Sequence, residues 1–352
     1  MAPAASQNGA GSLDGVRRIV VVLPTWVGDT VMATPALRAL RRAAPDAELV
    51  VFGRPLLFGL LEGGDLFDRA VANHKGKGRV RANVAALREI GADLAVILPH
   101  SFRTAWEVFR AGIPRRVGYR REGRGWMLTE SIAPHRVRGK IVPVPMVFQY
   151  LELVALLGAV PDGDGPKLPV SEELRARGDA ALRELGVDDT DRLIVLNPGA
   201  SFGPSKIWPV EYLSEVADHF MREGAKVLIL CGPGEEELGA TIAELCEGPV
   251  IDTGRAVLPL DITKPVLARA NLMITTDAGP RHVSVSQGTP TIVLMGPTDP
   301  RYTDSHLGES VVLRRDVPCG PCHLKVCPLD HRCLREIRPA EVIEWSERLI
   351  RA

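Results

Sequence analysis

The stretch R-R-I-V-V-V-L-P (residues 17–24), running on into T-W-V-G-D-T-V (residues 25–31), decides the fold. Its first part is an apolar, β-branched run of the length of a strand buried on both faces, where polar and apolar residues need not alternate. Its second part is a turn containing Gly28 and a helix start that continues through apolar Val31, Leu37 and Leu40. The rhythm then repeats. A-E-L-V-V-F-G (47–53), the short F-D-R-A-V (67–71) and A-D-L-A-V-I-L-P (92–99) read as strands, with helical segments at 80–90 and 102–111. Such alternation predicts a parallel sheet covered on both faces by helices.

Working outward, a long helix at 146–158 closes this series, and P-D-G-D-G-P-K-L-P-V (161–170), rich in proline and glycine, reads as a linker. A helix at 171–185 opens a second series with strands at 192–198, 226–232, 250–252, 272–277 and 291–296. The final helix, 339–351, starts at Pro339, where a missing N–H costs nothing. The expected class is therefore α/β, with two Rossmann-like domains facing a cleft: a disordered leader at 1–16, a first domain at 17–165 and a second at 166–352. The last helix is placed in the second domain, with a crossing back to the first left open.

Length and composition agree with two domains. A chain of 352 residues at roughly 100–200 per domain carries two cores, and 45% hydrophobic against 24% charged residues excludes a disordered chain. Lys+Arg 43 balances Asp+Glu 43, so no overall field draws the protein to nucleic acid. No apolar run approaches the ~18 residues of a membrane span. The first residues lack the basic and apolar regions of a signal peptide, so the expected location is the cytosol.

Ligands of such sheets bind beyond the carboxyl ends of the strands, and the polar motifs fall there. Asp29 sits in the first turn, where G-x-G-x-x-G is absent; it reads either as a helix cap or as a general base. In the second series, N-P-G-A-S-F-G-P-S-K-I-W-P (197–209) can wrap oxygens with backbone N–H groups, with Lys206 as a point charge on a diphosphate. T-T-D-A-G-P-R-H-V (275–283) brings Gly279 to a helix start that favours anions. Asp277 there reads as a cap or a site residue, and His282 as structural or donor-facing. M-G-P-T-D-P (295–300) makes a further turn at the same edge. The arginine-rich stretch 109–126 reads as a solvated loop or as a seat for an anionic acceptor.

Taken in order, P-T-W-V-G-D-T-V, H-S-F-R-T-A, A-G-I-P-R-R-V-G-Y-R, G-P-S-K-I-W-P, T-T-D-A-G-P-R-H-V and M-G-P-T-D-P resemble the ADP-heptose:lipopolysaccharide heptosyltransferases, glycosyltransferase family 9, nearest their heptosyltransferase II branch. The resemblance runs from about residue 17 to the C-terminus. It implies a GT-B glycosyltransferase with the donor nucleotide on the second domain and Asp29 as catalytic base. It further implies donor contacts from Ser201, Lys206, Asp277, Gly279 and His282, and a carboxylate near the adenosine ribose. Glu236 is the choice for that carboxylate, with Glu235 and Glu237 as close competitors. Arg103 and Arg120 match basic positions facing the acceptor. The implied reaction moves a heptose from ADP-L-glycero-β-D-manno-heptose to an inner-core sugar of lipopolysaccharide, at the cytoplasmic surface of the inner membrane.

The residue types suit that chemistry. One carboxylate suffices to take the acceptor's proton, and the diphosphate leaves as an anion stabilised by Lys206 and a helix end. No metal or other cofactor is expected, and no D-x-D motif stands in a clear metal-binding context. Two rivals share the sequence features: a same-fold transferase with another sugar or acceptor, and a two-domain sugar-binding module without catalysis. Separately, P-C-G-P-C-H-L-K-V-C-P-L-D-H-R-C (318–333) gathers Cys319, Cys322, Cys327 and Cys333. That spacing is open to structural zinc, to thiol cross-linking or to plain packing, with packing the leading reading.

Overall fold

The computed structural model describes residues 12–199 and 201–351. The expected leader falls outside the described residues up to position 11. Residues 12–16 form a turn, and the Ser12 carbonyl accepts a hydrogen bond from Arg115. Two compact units divide the chain, Met1–Pro166 and Lys167–Ala352.

In the first unit, β1 (Arg18–Val22), β2 (Glu48–Gly53), β3 (Arg69–Ala72), β4 (Leu94–Ile97), β5 (Arg115–Tyr119) and β6 (Glu130–Ile132) form one sheet in the order β3-β2-β1-β4-β5-β6. Every pairing is parallel, with Val20 of β1 opposite Val50 of β2 and Ala95 of β4. Ile19–Val22 are buried to 4% exposure or less, so the apolar run is a central strand covered on both faces. A short antiparallel hairpin, β7 (Arg136–Val137) and β8 (Lys140–Ile141), follows the sheet.

Three details differ from the sequence reading. The helix after β1 is two helices, Val27–Met32 and Thr34–Ala43, joined at Ala33, with Pro35 in the first turn of the second. The arginine-rich stretch is not a solvated loop: residues 115–119 are β5, with Val117, Gly118 and Tyr119 buried. At the strand's start Arg115 pairs with Glu130 and Arg116 donates to the carbonyls of Met127 and Ile113, and the remaining arginines Arg120, Arg121 and Arg124 follow the strand. Strand β6, the β7–β8 hairpin and a strand near the end of the chain, described next, also went unread.

The second unit repeats the plan. β9 (Leu193–Asn197), β10 (Lys226–Ile229), β11 (Ile251–Asp252), β12 (Leu272–Thr276), β13 (Thr291–Met295) and β14 (Ser310–Arg314) pair in the order β11-β10-β9-β12-β13-β14, all parallel. The last helix, Pro339–Arg351, packs against the Val210–Arg222 helix, β12 and β13, all in this unit. Trp208 seals the seam. Its ring is fully buried and its Nε1 donates to the Ile337 carbonyl at 3.1 Å. Truncating an indole buried this deeply costs about 3–5 kcal/mol.

Candidate active site

In both sheets the strand order reverses between the first and fourth strands of the unit, the place where open α/β sheets receive ligands. In the second unit this is the edge of β9 and β12. Side chains stitch the two strands together there. Thr275 Oγ1 donates to Asn197 Oδ1 at 3.1 Å, Asn197 Nδ2 donates to the Leu230 carbonyl at 2.8 Å, and Thr276 Oγ1 donates to the Gly199 carbonyl at 2.9 Å.

Onto this floor the chain brings Lys206, from the 3-10 turn Pro204–Lys206, and Asp277, just past β12. Lys206 Nζ donates to the Asp277 carbonyl at 2.5 Å and to Asp277 Oδ2 at 2.8 Å. Asp277 also takes Thr298 Oγ1 at 2.6 Å on Oδ2 and Arg281 Nη1 at 2.8 Å on Oδ1. Burial opposes the ionised carboxyl, but Lys206 and Arg281, helped by the hydrogen bonds, hold it well below the usual carboxylate range. Two cations around one carboxylate leave one net positive charge in a buried setting, where it acts more strongly than in water.

Asp277 is not the cap of the helix that follows. Ala278 takes that position for Gly279–Ser286, and both Asp277 oxygens are engaged elsewhere. Gly279 is the first residue of that helix, at its electropositive end. His282 lies within the first turn and is half-buried. Burial lowers its pKa to about 3, with Arg281 and Lys206 adding to the effect, so at neutral pH it contributes hydrogen bonding and no charge. Ser201 is exposed on the loop after β9.

The three acids after β10 separate cleanly. Glu235 folds its carboxyl over Gly199, where any Cβ would lie 2.0 Å from it, and accepts the Gly232 N–H at 2.7 Å. Glu236 opens the Glu236–Leu245 helix, exposed, and accepts the Gly234 N–H at 3.1 Å. Glu237 is exposed beside it.

In the first unit, Asp29 is the third residue of the Val27–Met32 helix and is half-buried. The cap is Trp26, so the capping reading of Asp29 fails, although an acid in the first turn still suits the helix dipole. Its charge reaches Tyr150 on the Met146–Ala155 helix. Burial pushes that phenol well up, and Asp29 pushes it further. At the end of β4, His100 follows Pro99, and Arg120 and Arg121 follow β5. His100, Arg120, Arg121, Glu122 and Arg136 line one pocket of about 510 Å³. Arg103 is not among its lining residues; its guanidinium pairs with Glu107 one turn along the Phe102–Ala111 helix at 3.3 Å.

Sequence reasoning passed over Arg281, Thr298, His100 and Arg121. Arg281 had a visible signal, its four-residue spacing from Asp277 on a helix start. Thr298 lies in the M-G-P-T-D-P turn already placed at the same sheet edge, but its bond to Asp277 is visible only once the fold brings residues 277 and 298 together.

Cys319, Cys322, Cys327 and Cys333 line one small cavity, and all four are free thiols. Burial pushes the Cys333 thiol up, and the other three add to the shift. Among the described residues no group of three or more His, Cys, Asp or Glu is placed to hold a metal, so the zinc alternative for these four finds no support in the geometry. Their segment instead buttresses the Lys206 turn. Ser205 N–H donates to the Lys325 carbonyl at 3.0 Å, Ser205 Oγ donates to the Leu324 carbonyl, and a Cβ on Gly203 would stand 2.6 Å from the Lys325 carbonyl oxygen. Among the described residues no helix is long and apolar enough to cross a membrane.

Residues 80–332 match the model of glycosyltransferase family 9 (heptosyltransferase). Over 339 residues the chain is 26% identical to lipooligosaccharide heptosyltransferase 2 of Campylobacter jejuni, covering 95% of this chain and 98% of the relative. It resembles the solved structure of a family 9 glycosyl transferase from Veillonella parvula with a TM-score of 0.82 at 26% identity, covering 97% and 99% of the two chains. The likeness to E. coli ADP-heptose lps heptosyltransferase II has a TM-score of 0.79 at 27% identity, covering 95% and 98%. Agreement over nearly the whole length assigns the paired Rossmann-like units to the GT-B class, and with the family match it follows that the chain belongs to glycosyltransferase family 9 and is a glycosyltransferase.

Proposed function

We propose that this chain moves a heptose from an ADP-heptose to an inner-core sugar of lipopolysaccharide, inverting the anomeric carbon. The observation that carries the reading is the buried Lys206–Asp277–Arg281 cluster, with its one net positive charge beside the Gly279 helix start. That is the place for a diphosphate. The donor and acceptor classes come from the relatives, among them lipopolysaccharide heptosyltransferase 2 of E. coli, 28% identical over 317 residues.

Asp29 takes the proton of the acceptor hydroxyl as its oxygen bonds to the anomeric carbon. The bond from that carbon to the diphosphate oxygen breaks through an oxocarbenium-like state, and ADP leaves with the electron pair. Lys206, held in place by Asp277, and the amides around Gly279 offset the growing charge on the leaving group. Ser201 and His282 add hydrogen bonds to the donor, and Glu236 receives the ribose hydroxyls on its exposed carboxylate. Arg103 and Arg120 face the acceptor. A lipid-anchored acceptor puts the working enzyme at the cytoplasmic membrane surface as a peripheral protein, in keeping with a chain of zero net charge whose basic groups are local.

Two measurements test this. ADP is expected to raise the melting temperature more than UDP or GDP at equal concentration. Saturation at ~100 times Kd is worth about 2.7 kcal/mol, an easily read shift. A larger shift with UDP or GDP overturns the adenine assignment. Transfer is also expected to persist in EDTA, because Lys206 and the helix start already offset the diphosphate charge. Activity abolished by EDTA and restored by Mg²⁺ shows a cation to be part of the donor site.

A further inference from the structure

We propose that the outer face of the first unit's Arg79–Ile90 and Phe102–Ala111 helices, with the basic run 75–81 and the exposed Trp126 at its rim, is the surface by which this chain lies on a bilayer of anionic phospholipid. The proposal rests on the reading above that the enzyme works at a membrane surface on a lipid-anchored acceptor.

Charge is the first argument. The two helices pack side by side and turn Leu87, Ile90, Ala105 and Val108 inward to the core. Outward they leave an open groove of about 990 Å³ that carries Arg79, Arg81, Arg88 and Arg110, and among the described residues no Asp or Glu lines it. Among the described residues none of these four forms an ion pair. Arg88 donates to the Arg110 carbonyl at 3.0 Å and the Arg110 guanidinium lies 5.5 Å over the Trp106 ring, contacts that leave both charges uncompensated. Lys75 and Lys77, exposed beside Gly76 and Gly78 of the same groove, add two more cations. The helix does not account for this charge. Its start is capped by Gly78 without a side-chain bond, has no acid in the first turn, and puts Arg79 and Arg81 at the electropositive end, where cations are unfavourable. In a chain of zero net charge such a concentration of unpaired cations needs a counter-charge from outside, and clusters of this size suit anionic headgroups.

The aromatic rim is the second argument. Trp126 is 61% exposed and stands edge-on to Phe109 at 5.3 Å and to Trp106, which lines the groove, at 6.3 Å. Phe102, one turn before Trp106 on the same helix, is 41% exposed. Indole rings settle at the boundary of headgroups and acyl chains, with the ring toward the apolar side and the N–H in the polar layer. A fixed aromatic rim beside a cationic groove fits a bilayer surface better than a polynucleotide. Bases stack on free ring faces, whereas Arg110 covers Trp106 and Arg116, 5.4 Å from the ring centre, covers Phe109. The six cations and Trp126 are all exposed, so headgroups reach them without any movement of the fold.

The probes are vesicles of phosphatidylglycerol mixed with phosphatidylcholine, and of phosphatidylcholine alone, with co-sedimentation of the full chain as the readout. The mixed vesicles are expected to bring the protein down at low salt and to release it as salt rises, and phosphatidylcholine alone should not bind it. Lys75→Gln with Lys77→Gln, and Arg81→Gln with Arg88→Gln, are each expected to weaken binding about 25-fold, at about fivefold per cation. Trp126→Ser should weaken binding and remove most of the blue shift of tryptophan emission on adding mixed vesicles. ADP affinity, and turnover on an acceptor freed of its lipid, should not move in any variant, which shows that each folds. The proposal fails if phosphatidylcholine alone binds as well, if all three variants sediment as the wild type does, or if a single-stranded oligonucleotide stays bound at a salt concentration that releases the vesicles. Vesicle binding without ADP affinity would instead count against the transferase reading and leave the surface standing, whereas transfer to the lipid-free acceptor without vesicle binding removes the surface and leaves the transferase reading intact.

Discussion

Asp29→Asn is expected to lower turnover by about 10²–10⁴ while ADP affinity stays within experimental scatter. The substitution keeps the size and polarity of the side chain at the third position of the Val27–Met32 helix, but an amide cannot take a proton at neutral pH. Stability should change little. Trp26 is the cap, and the place of Asp29 as a first-turn acid is worth about 0.3–1 kcal/mol. The donor groups Lys206, Asp277 and Gly279 all belong to the other unit, so nucleotide binding has no reason to follow. Steady-state kinetics with calorimetric ADP titration decides the matter. Near-normal turnover in the variant removes Asp29 as base and takes the proposed mechanism with it. Equal losses in turnover and in ADP affinity mean instead that the carboxylate holds the donor.

The contrast between Asp29 and Asp277 also shows what a sequence can and cannot display. Both stand where a strand run gives way to a turn and a helix, and that alternation is visible in residue types alone, because strands buried on both faces need unbroken apolar runs. Ile19–Val22, Leu193–Leu196 and Leu272–Ile274 are such runs, and all are buried to 4% exposure or less. β5 hid behind Arg115 and Arg116, whose guanidinium groups find Glu130 and backbone carbonyls that only the neighbouring turn supplies. β14, S-V-V-L-R, sits at the sheet edge beside charged residues, with Leu313 its one fully buried side chain. The capping alternative fails at both aspartates for one reason. A favourable residue type near a helix start suggests capping, whereas the position one or two residues away decides it, and that position depends on where the strand ends. The partners of Asp277 come from residues 206, 281 and 298, and the choice among Glu235, Glu236 and Glu237 turns on a carboxyl lying against Gly199. Apart from the four-residue step from Asp277 to Arg281, contacts across such distances leave no local trace.

Asp277→Asn should therefore be the most destabilising single polar substitution in the second unit, by about 3–5 kcal/mol, since it strips the counter-charge from Lys206 and Arg281 in a site where Asp277 is only 10% exposed. The carboxyl is held below its ordinary value of 3.8, so its stabilising contribution is complete above that pH. It is lost as pH falls from about there toward the lower folded value, because the unfolded chain then binds the proton first. Wild-type protein should show a steep loss of stability on acidification below about pH 4 that is much shallower in the variant. Lys206→Met separates structure from function at the same place. It leaves Asp277 paired with Arg281 and Thr298, so the fold should survive, yet it removes one of two cations and takes the cluster from one net positive charge to none. ADP should then bind at least tenfold more weakly and turnover should fall with it, since charge on the diphosphate grows toward the transition state. Urea melts from pH 3 to 7 and ADP calorimetry on both variants check the pair. If Lys206→Met binds ADP normally, Lys206 is a structural partner of Asp277, and the positive charge that receives the diphosphate must be sought at Arg281 and the Gly279 helix start.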